Sequence, residues 1–560
     1  MKRASSRSLL VVVAAVLIAL FGLGLVGDFW NEVVRPLTDP RRIGRGPVPS
    51  FQEQACSLPA PWWERVRRGY FGPRSGDIST LPRYPAYMAS TAGGWTHSGP
   101  WPHLQRVPLV FYGPGVLGPA RTVDRPVTVA DVAPTLARLI GADYPSRAGR
   151  PLDVVRVSRG SQRSVPRLIV TVVWDGGGWN TLDQWPDAWP NLARAIRGGT
   201  SFSNATVGSS PSVTPAIHTT LGTGEWPSSH GITGIWVRDE NGNRVDSFLK
   251  GASTRFLEVA TLAERWDEDH GNRALVGMVG YEPWHLGMIG QGAERPGGDL
   301  DDAAWLNVET NEWITNKDHF RLPPGLIGTG GLAADLRETD AADGAIDESW
   351  RDNAILDDID RVEETPGFIA YHTRAMVNMI EDEGYGSDKV TDFVFTNYKQ
   401  IDRVGHYFGM SSDEVYDSVI ESDRQLGELV GELNDIVGYG NWVLVVTADH
   451  GQQPDDSEID SYAVDPDEVK ADLNDHFGPV VEGVFPTEIF LDYEALDSSG
   501  ATVADVARWL ADYRLVENAH NPGQLLRGAG SFEPQDRIFD LAVPSKMIPT
   551  MNCGRGRPAG

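Results

Sequence analysis

The chain has 560 residues, 41% of them hydrophobic, and sets 49 Lys+Arg against 77 Asp+Glu for a formal charge of −28. That length exceeds one compact unit and supplies enough apolar residues for a sizeable core. The acid excess argues against bulk nucleic-acid binding, which relies on Lys and Arg at the phosphate backbone, so no nucleic-acid partner is expected.

Lys2, Arg3 and Arg7 precede an uncharged apolar run over 9–27. At about 1.5 Å rise per residue this run nearly spans a bilayer core. Its basic flank predicts a cytoplasmic N-terminus. Residues 1–28 therefore read as a cytoplasmic tip and transmembrane helix, which implies a single-pass protein of the cell membrane. Everything after it is expected on the extracytoplasmic side, or secreted if the segment is cleaved. Residues 29–69, rich in Pro, Arg and Gly, read as a linker. The only cysteines, Cys56 and Cys553, lie near opposite ends of the exported part, where an even pair is readily oxidised.

Residues 70–155 hold Trp95-Thr96-His97-Ser98-Gly99-Pro100, a strand-like run over 107–115, and helical periodicity over 129–140. Asp131 is placed to cap that helix, with Pro134 in its first turn. Leu168–Trp174 is a short β-branched run bounded by Pro166 and glycines, the pattern of a buried strand. Asp175 follows it, at the end where open α/β sheets place ligands. Helices are expected at 190–196, 259–266 and 414–433, and strands at 274–279, 390–397 and Trp442–Thr447. This alternation predicts an α/β fold with a doubly wound, mostly parallel sheet flanked by helices. Residues 165–290 and 385–545 read as two parts of a catalytic core, and the acidic, Gly/Pro-containing 291–384 as an inserted cap. Residues 455–480 look loop-like and 546–560 form a tail.

Four segments carry the chemistry. They are Val172-Val173-Trp174-Asp175-Gly176-Gly177-Gly178, Ser212-Val213-Thr214-Pro215-Ala216, Asp402-Arg403-Val404-Gly405-His406 and Val445-Val446-Thr447-Ala448-Asp449-His450-Gly451. Carboxylate and imidazole donors suit zinc-like divalent cations. Two such cations about 3.5–4 Å apart can clamp both oxygens of an in-line displacement at phosphorus. In this order the segments resemble the alkaline phosphatase superfamily, in particular its type I phosphodiesterase/nucleotide pyrophosphatase branch.

The resemblance implies two divalent metal ions, zinc by donor type. One site would use Asp175, Asp449, His450 and the Thr214 oxygen. The other would use Asp402, His406 and a third ligand. Asp402 and His406, four apart, reach one ion from a single helical turn. His97 is assigned as the third, because its Thr-His turn matches the family's usual C-terminal block, whereas His476 and His520 sit in no matching motif. With that block ahead of Asp175 the chain reads as circularly permuted. The new ends of a permuted chain lie close together, which predicts a Cys56–Cys553 disulfide.

Thr214 is the expected nucleophile and Ser212 the runner-up. Metal coordination supplies the alkoxide that a free hydroxyl lacks at neutral pH. His285 is placed as a substrate-binding residue lining the pocket, and His218 and His230 as structural. Relatives often carry Asn in the turn after His-Gly-Ile; here Ile235 takes that place, which leaves monoester versus diester preference open. The sulfatase signature Cys/Ser-x-Pro-x-Arg is absent. The implied activity is hydrolysis of a phosphate-ester substrate of phosphodiester or nucleotide type through a phospho-threonine. A phosphomonoesterase or phosphonate hydrolase is the alternative, and a non-catalytic surface-binding protein the reading from another class. The sequence does not specify an oligomeric state.

Overall fold

The computed structural model describes residues 47–553 apart from 90–93, 159–164, 354–360, 456–457 and 519–531. In chain order the principal elements begin with α1 (Phe51–Ser57), α2 (Ala60–Gly69), β1 (Ile78–Pro82), β2 (Leu109–Tyr112), β3 (Arg121–Val123), α3 (Val132–Ile140), β4 (Leu168–Trp174), α4 (Pro190–Gly198), β5 (Thr200–Phe202) and α5 (Thr214–Thr223). They continue with α6 (Leu262–Asp269), β6 (Val276–Gly280), β7 (Asp301–Asn307), β8 (Glu312–Ile314), β9 (Phe320–Arg321), α7 (Pro366–Glu383), β10 (Asp392–Tyr398), α8 (Gln400–Phe408), α9 (Asp413–Leu433) and β11 (Trp442–Thr447). The last are α10 (Pro466–Phe477), β12 (Val481–Phe485), β13 (Glu488–Leu491), α11 (Val503–Leu510) and β14 (Phe539–Pro544).

The main sheet runs β8-β7-β6-β10-β4-β11-β2-β5-β3, with β9 on β7. Strands β7, β6, β10, β4 and β11 are mutually parallel, while β2 is antiparallel to β11 and to β5. The sheet is therefore mixed, with a parallel centre. Strand alternation explains its two covered faces. Along β4, Ile169 and Val173 join one core with α3, Ile217 and Leu221 of α5, and α6. Leu168, Val170, Val172 and Trp174 join the other with Leu192 of α4, α7 and α9.

This arrangement positions the site. β10 and β11 flank β4 on either side, with Tyr398 opposite Trp174 and Thr447 opposite Val173. All three strands thus end together, and Asp175, Asp402, Asp449 and His450 follow those ends. A second, antiparallel sheet, β12-β13-β1-β14, packs on α10 and α11. Block 70–155 thus gives β1 to the small sheet and β2 to the main one.

Several expectations need correction. The segment 9–27 lies outside the described residues, and among the described residues no helix is long and apolar enough to cross a membrane. The single-pass anchor and cell-membrane placement are accordingly not supported. Within the supposed linker 29–69, α1 and α2 form instead. Ser50 and Glu53 make a reciprocal capping box, which overrides the Pro-rich composition. Ala55, Leu58, Trp63 and Val66 pack against Leu541, Val543, Ile548 and Met551, so the start of the supposed tail is packed too. A Cys56–Cys553 disulfide closes the same contact.

The supposed cap 291–384 contributes a strand and a helix to the core. β7 pairs with β6, and α7 buries Phe368, Ile369, Met376 and Ile380 on the sheet. Buried Asp301 and Asp302 at the start of β7 had masked its apolar pattern, and Arg321 pairs with Asp302. Within the loop-like 455–480, Asp465 caps α10 by accepting from Asp467 and Glu468. Asp131 takes the N-cap position of α3 but makes no side-chain capping bond; its carboxylate accepts from the Thr128 and Arg150 amides.

Glu488 is buried on β13, accepts from the Gly76 amide at 3.2 Å, and is pushed up to about 8, first by burial. Its folded pKa exceeds the unfolded one, so its contribution to stability is present at low pH and lost as pH rises through about 8. Glu488→Gln should match the wild type near pH 5 and exceed it above pH 8 by on the order of 2 kcal/mol, read by denaturant melts at both pH values.

Candidate metal centre at the strand ends

The chain must turn sharply after β4 to present Asp175. Gly176 adopts φ +69° and lies against Asp402, where a Cβ would sit 3.0 Å from its Cα. After β10 the chain enters α8, which carries Asp402 and His406 one turn apart. Gly405 between them admits Gln452, whose side chain a Cβ would strike at 1.7 Å. Thr214 opens α5, with Val213 extended as its cap and Pro215 in the first turn, where a missing N–H costs nothing.

Two groups of candidate ligands result, Asp175/Asp449/His450 and His97/Asp402/His450, each with its donor atoms within 4.8 Å of one another. His450 Nε2 lies 3.3 Å from Asp175 Oδ1 and 3.5 Å from Asp449 Oδ2. His97 Nε2 and His406 Nε2 lie 3.1 and 3.4 Å from Asp402 Oδ1. His450 therefore stands between the two groups, at 3.9 Å from Asp402 Oδ1, and its ring stacks on His97.

The donor set fits divalent cations. Asp175 Oδ1, Asp449 Oδ2 and His450 Nε2 are buried and without hydrogen-bond partners, a costly state unless a cation satisfies them. All three histidines also meet a backbone carbonyl at Nδ1: His97 the Ser212 carbonyl at 3.1 Å, His406 that of Trp95, and His450 that of Gly451 at 3.1 Å. A carbonyl only accepts, so each Nδ1 carries a proton and each Nε2 is the ring atom turned to the carboxylates, the one a cation would take, as in metal-binding histidines.

Electrostatics agree. Burial lowers the His97 pKa to about 4 and keeps it neutral. Burial would lower His450 too, but Asp449, Asp175 and Asp402 outweigh it and raise it to about 9. Burial would raise Asp402, yet His406 and Lys399 hold it well below the usual carboxylate range.

Thr214 Oγ1 lies 3.4 Å from Asp175 Oδ2, at the edge of the first group. Ser212 Oγ instead faces the Gly99 backbone at 3.3–3.4 Å. His285, expected to line the pocket, meets a histidine rather than a ligand carboxylate. It is fully buried and meets His218 Nδ1 at 3.0 Å, while His218 Nε2 lies 3.5 Å from Asp449 Oδ2. It stands behind His218, one residue removed from the candidate ligand Asp449. His230 bonds Thr220 within the core. His476 is exposed against Phe477 and Trp509, and His520 lies outside the described residues.

Sequence reasoning missed Lys399. It is 4% exposed, and its Nζ lies 2.9 Å from Asp175 Oδ2, 2.8 Å from Asp402 Oδ2 and 3.2 Å from Thr214 Oγ1. Burial would lower its pKa, but Asp175, Asp402 and Asp449 outweigh that and raise it, so the ammonium stays charged. A lone lysine closing an apolar strand, three residues before Asp402, was the available signal. Asn397, which donates to Asp175 Oδ2 at 3.0 Å, left none.

Residues 169–528 match the family described as type I phosphodiesterase / nucleotide pyrophosphatase, well over half the chain. The chain belongs to that family. It is thereby a phosphoric ester hydrolase. Among curated proteins it is 24% identical over 435 residues to alkaline phosphatase PafA of Elizabethkingia meningoseptica, covering 68% of this chain and 77% of that one. It is 22% identical over 406 residues to a protein of Myroides odoratus named calcium-transporting ATPase, covering 60% and 70%. The crystal structure of wild-type PafA superposes with a TM-score of 0.52 at 22% identity, over 64% of this chain and 77% of that one, and shares the fold. The matched span 169–528 begins after the block that carries His97.

If the His97/Asp402 group holds a cation, His97→Ala should weaken one of two bound cations by at least about 100-fold. Exposed His476→Ala should leave both unchanged. Metal analysis after dialysis against graded chelator reads both variants, and an unaltered cation content in His97→Ala would exclude it as a ligand.

Proposed function

We propose that this protein hydrolyses phosphodiesters, of nucleotide type, by transfer through Thr214. The observation that carries the reading is the placement of Thr214 Oγ1 at the N-terminus of α5, 3.4 Å from Asp175 and beside two ligand groups with orphaned donors. Two divalent cations, zinc by donor chemistry, held by Asp175, Asp449, His450 and Thr214 and by Asp402, His406 and His97, would supply Lewis acidity and favour the threonine alkoxide.

In this scheme Thr214 Oγ1, its proton lost to solvent, attacks phosphorus. The bond from phosphorus to the leaving oxygen breaks, and that oxygen takes a proton from water. The N-terminus of α5 suits the anionic phosphoryl group. Water then cleaves the phospho-threonine to a phosphomonoester and restores Thr214. The block around His97 acts as the family's terminal block moved to the front, so we read the chain as permuted. Its β2 lies antiparallel beside β11, in support of that reading.

Family membership favours the diester. The PafA likeness supports phosphomonoester hydrolysis as the second reading.

Thr214→Ala should keep fold and cation content while kcat falls by at least about 1,000-fold. Wild-type turnover by that variant would remove Thr214 as nucleophile and promote Ser212. On the zinc-loaded wild type, kcat/KM for bis(p-nitrophenyl) phosphate should exceed that for p-nitrophenyl phosphate. A reversed ratio would replace the diesterase reading with the monoesterase one.

A further inference from the structure

Asp175 and Asp402 each divide their two oxygens in the same way. Asp175 Oδ1 is the orphan that faces His450, and Asp402 Oδ1 faces His97 and His406. Their Oδ2 atoms both turn to Lys399 Nζ, at 2.9 and 2.8 Å. The ammonium thus joins the two ligand groups through the oxygens left over by the candidate cation sites. Its third contact is Thr214 Oγ1, at 3.2 Å.

We propose that Lys399 is a catalytic residue of this site, a fixed cation that touches the nucleophile oxygen and spans both carboxylate groups. The inference rests on Thr214 being the nucleophile. A charged donor already aimed at the oxygen where negative charge develops needs no reorganisation during reaction, and in a buried site such a donor acts strongly. Lys399 neither gives nor takes a proton in the transfer; it stabilises the oxyanion of Thr214 by hydrogen bond and charge. Its charge also offsets that of three buried carboxylates, so a phosphoryl anion meets a more positive site than the cations alone would provide.

This role has a sign that a supporting role lacks. Removing a positive charge beside two ligand carboxylates favours cation binding, whereas removing a mere prop for those carboxylates weakens it. The test uses the full chain with Lys399→Met, and Lys399→Gln in case the apolar variant does not fold. Cobalt titration followed by visible absorption reads cation affinity. Vanadate inhibition and kcat on bis(p-nitrophenyl) phosphate read transition-state stabilisation.

Expected are cation affinity equal to or tighter than wild type, kcat lower by about 100-fold or more with KM little changed, weaker vanadate binding, and partial recovery in Lys399→Arg. Unchanged kcat would overturn the proposal, and so would cation affinity and kcat falling together. Thr214→Ala, assayed alongside, separates the two claims. Full activity in Lys399→Met with an inactive Thr214→Ala removes the role of Lys399 alone. A metal-replete wild type that hydrolyses no phosphate ester removes the underlying reading as well.

Discussion

Three buried carboxylates, Asp175, Asp402 and Asp449, are forced together, and the rest of the site answers that repulsion. Each follows the end of one of three adjacent parallel strands, and the shared register of those strands leaves no freedom to separate them. Buried like charges are tolerated only when paired or bound to metal. Lys399 supplies one fixed positive charge. His450, raised to about 9 by the same carboxylates, supplies a second that a divalent cation would displace.

The histidines show how the scaffold prepares the centre. Each spends Nδ1 on a carbonyl, and two of those bonds cross between distant parts of the chain. His97 reaches the carbonyl of Ser212, beside the nucleophile, while His406 reaches that of Trp95, beside His97. The front block, the nucleophile turn and α8 therefore orient one another, as outer contacts do in metal sites. The Cys56–Cys553 bond ties the two chain ends on the small-sheet side, where β1 lies between β13 and β14.

Much of the fold was legible because its signals are local. Leu168–Trp174 and Trp442–Thr447 are strands with the bounds that their β-branched runs suggest, and the 3.6-residue periodicity of 414–433 yields α9. Segments were misread where burial obeys another rule. The β7 strand begins with two buried aspartates, so it read as part of an acidic inserted cap. The Pro- and Arg-rich stretch before residue 70 looked like linker, although a capping box and a few apolar anchors suffice for two helices once β14 is there to receive them.

The sequence by itself determined the kinds of donor, since Asp-x-x-x-His on a helix, Asp-His-Gly after a strand and Thr before Pro are chemical statements about short segments. It also marked the two cysteines and a parallel α/β core. Only the tertiary structure decided what these donors share. It placed His450 between two groups, buried His285 behind His218, turned Ser212 toward Gly99, and set Lys399 against both carboxylates and Thr214. The reason is physical. A donor's identity is covalent and local, whereas its partner is chosen by strand register and packing across hundreds of residues.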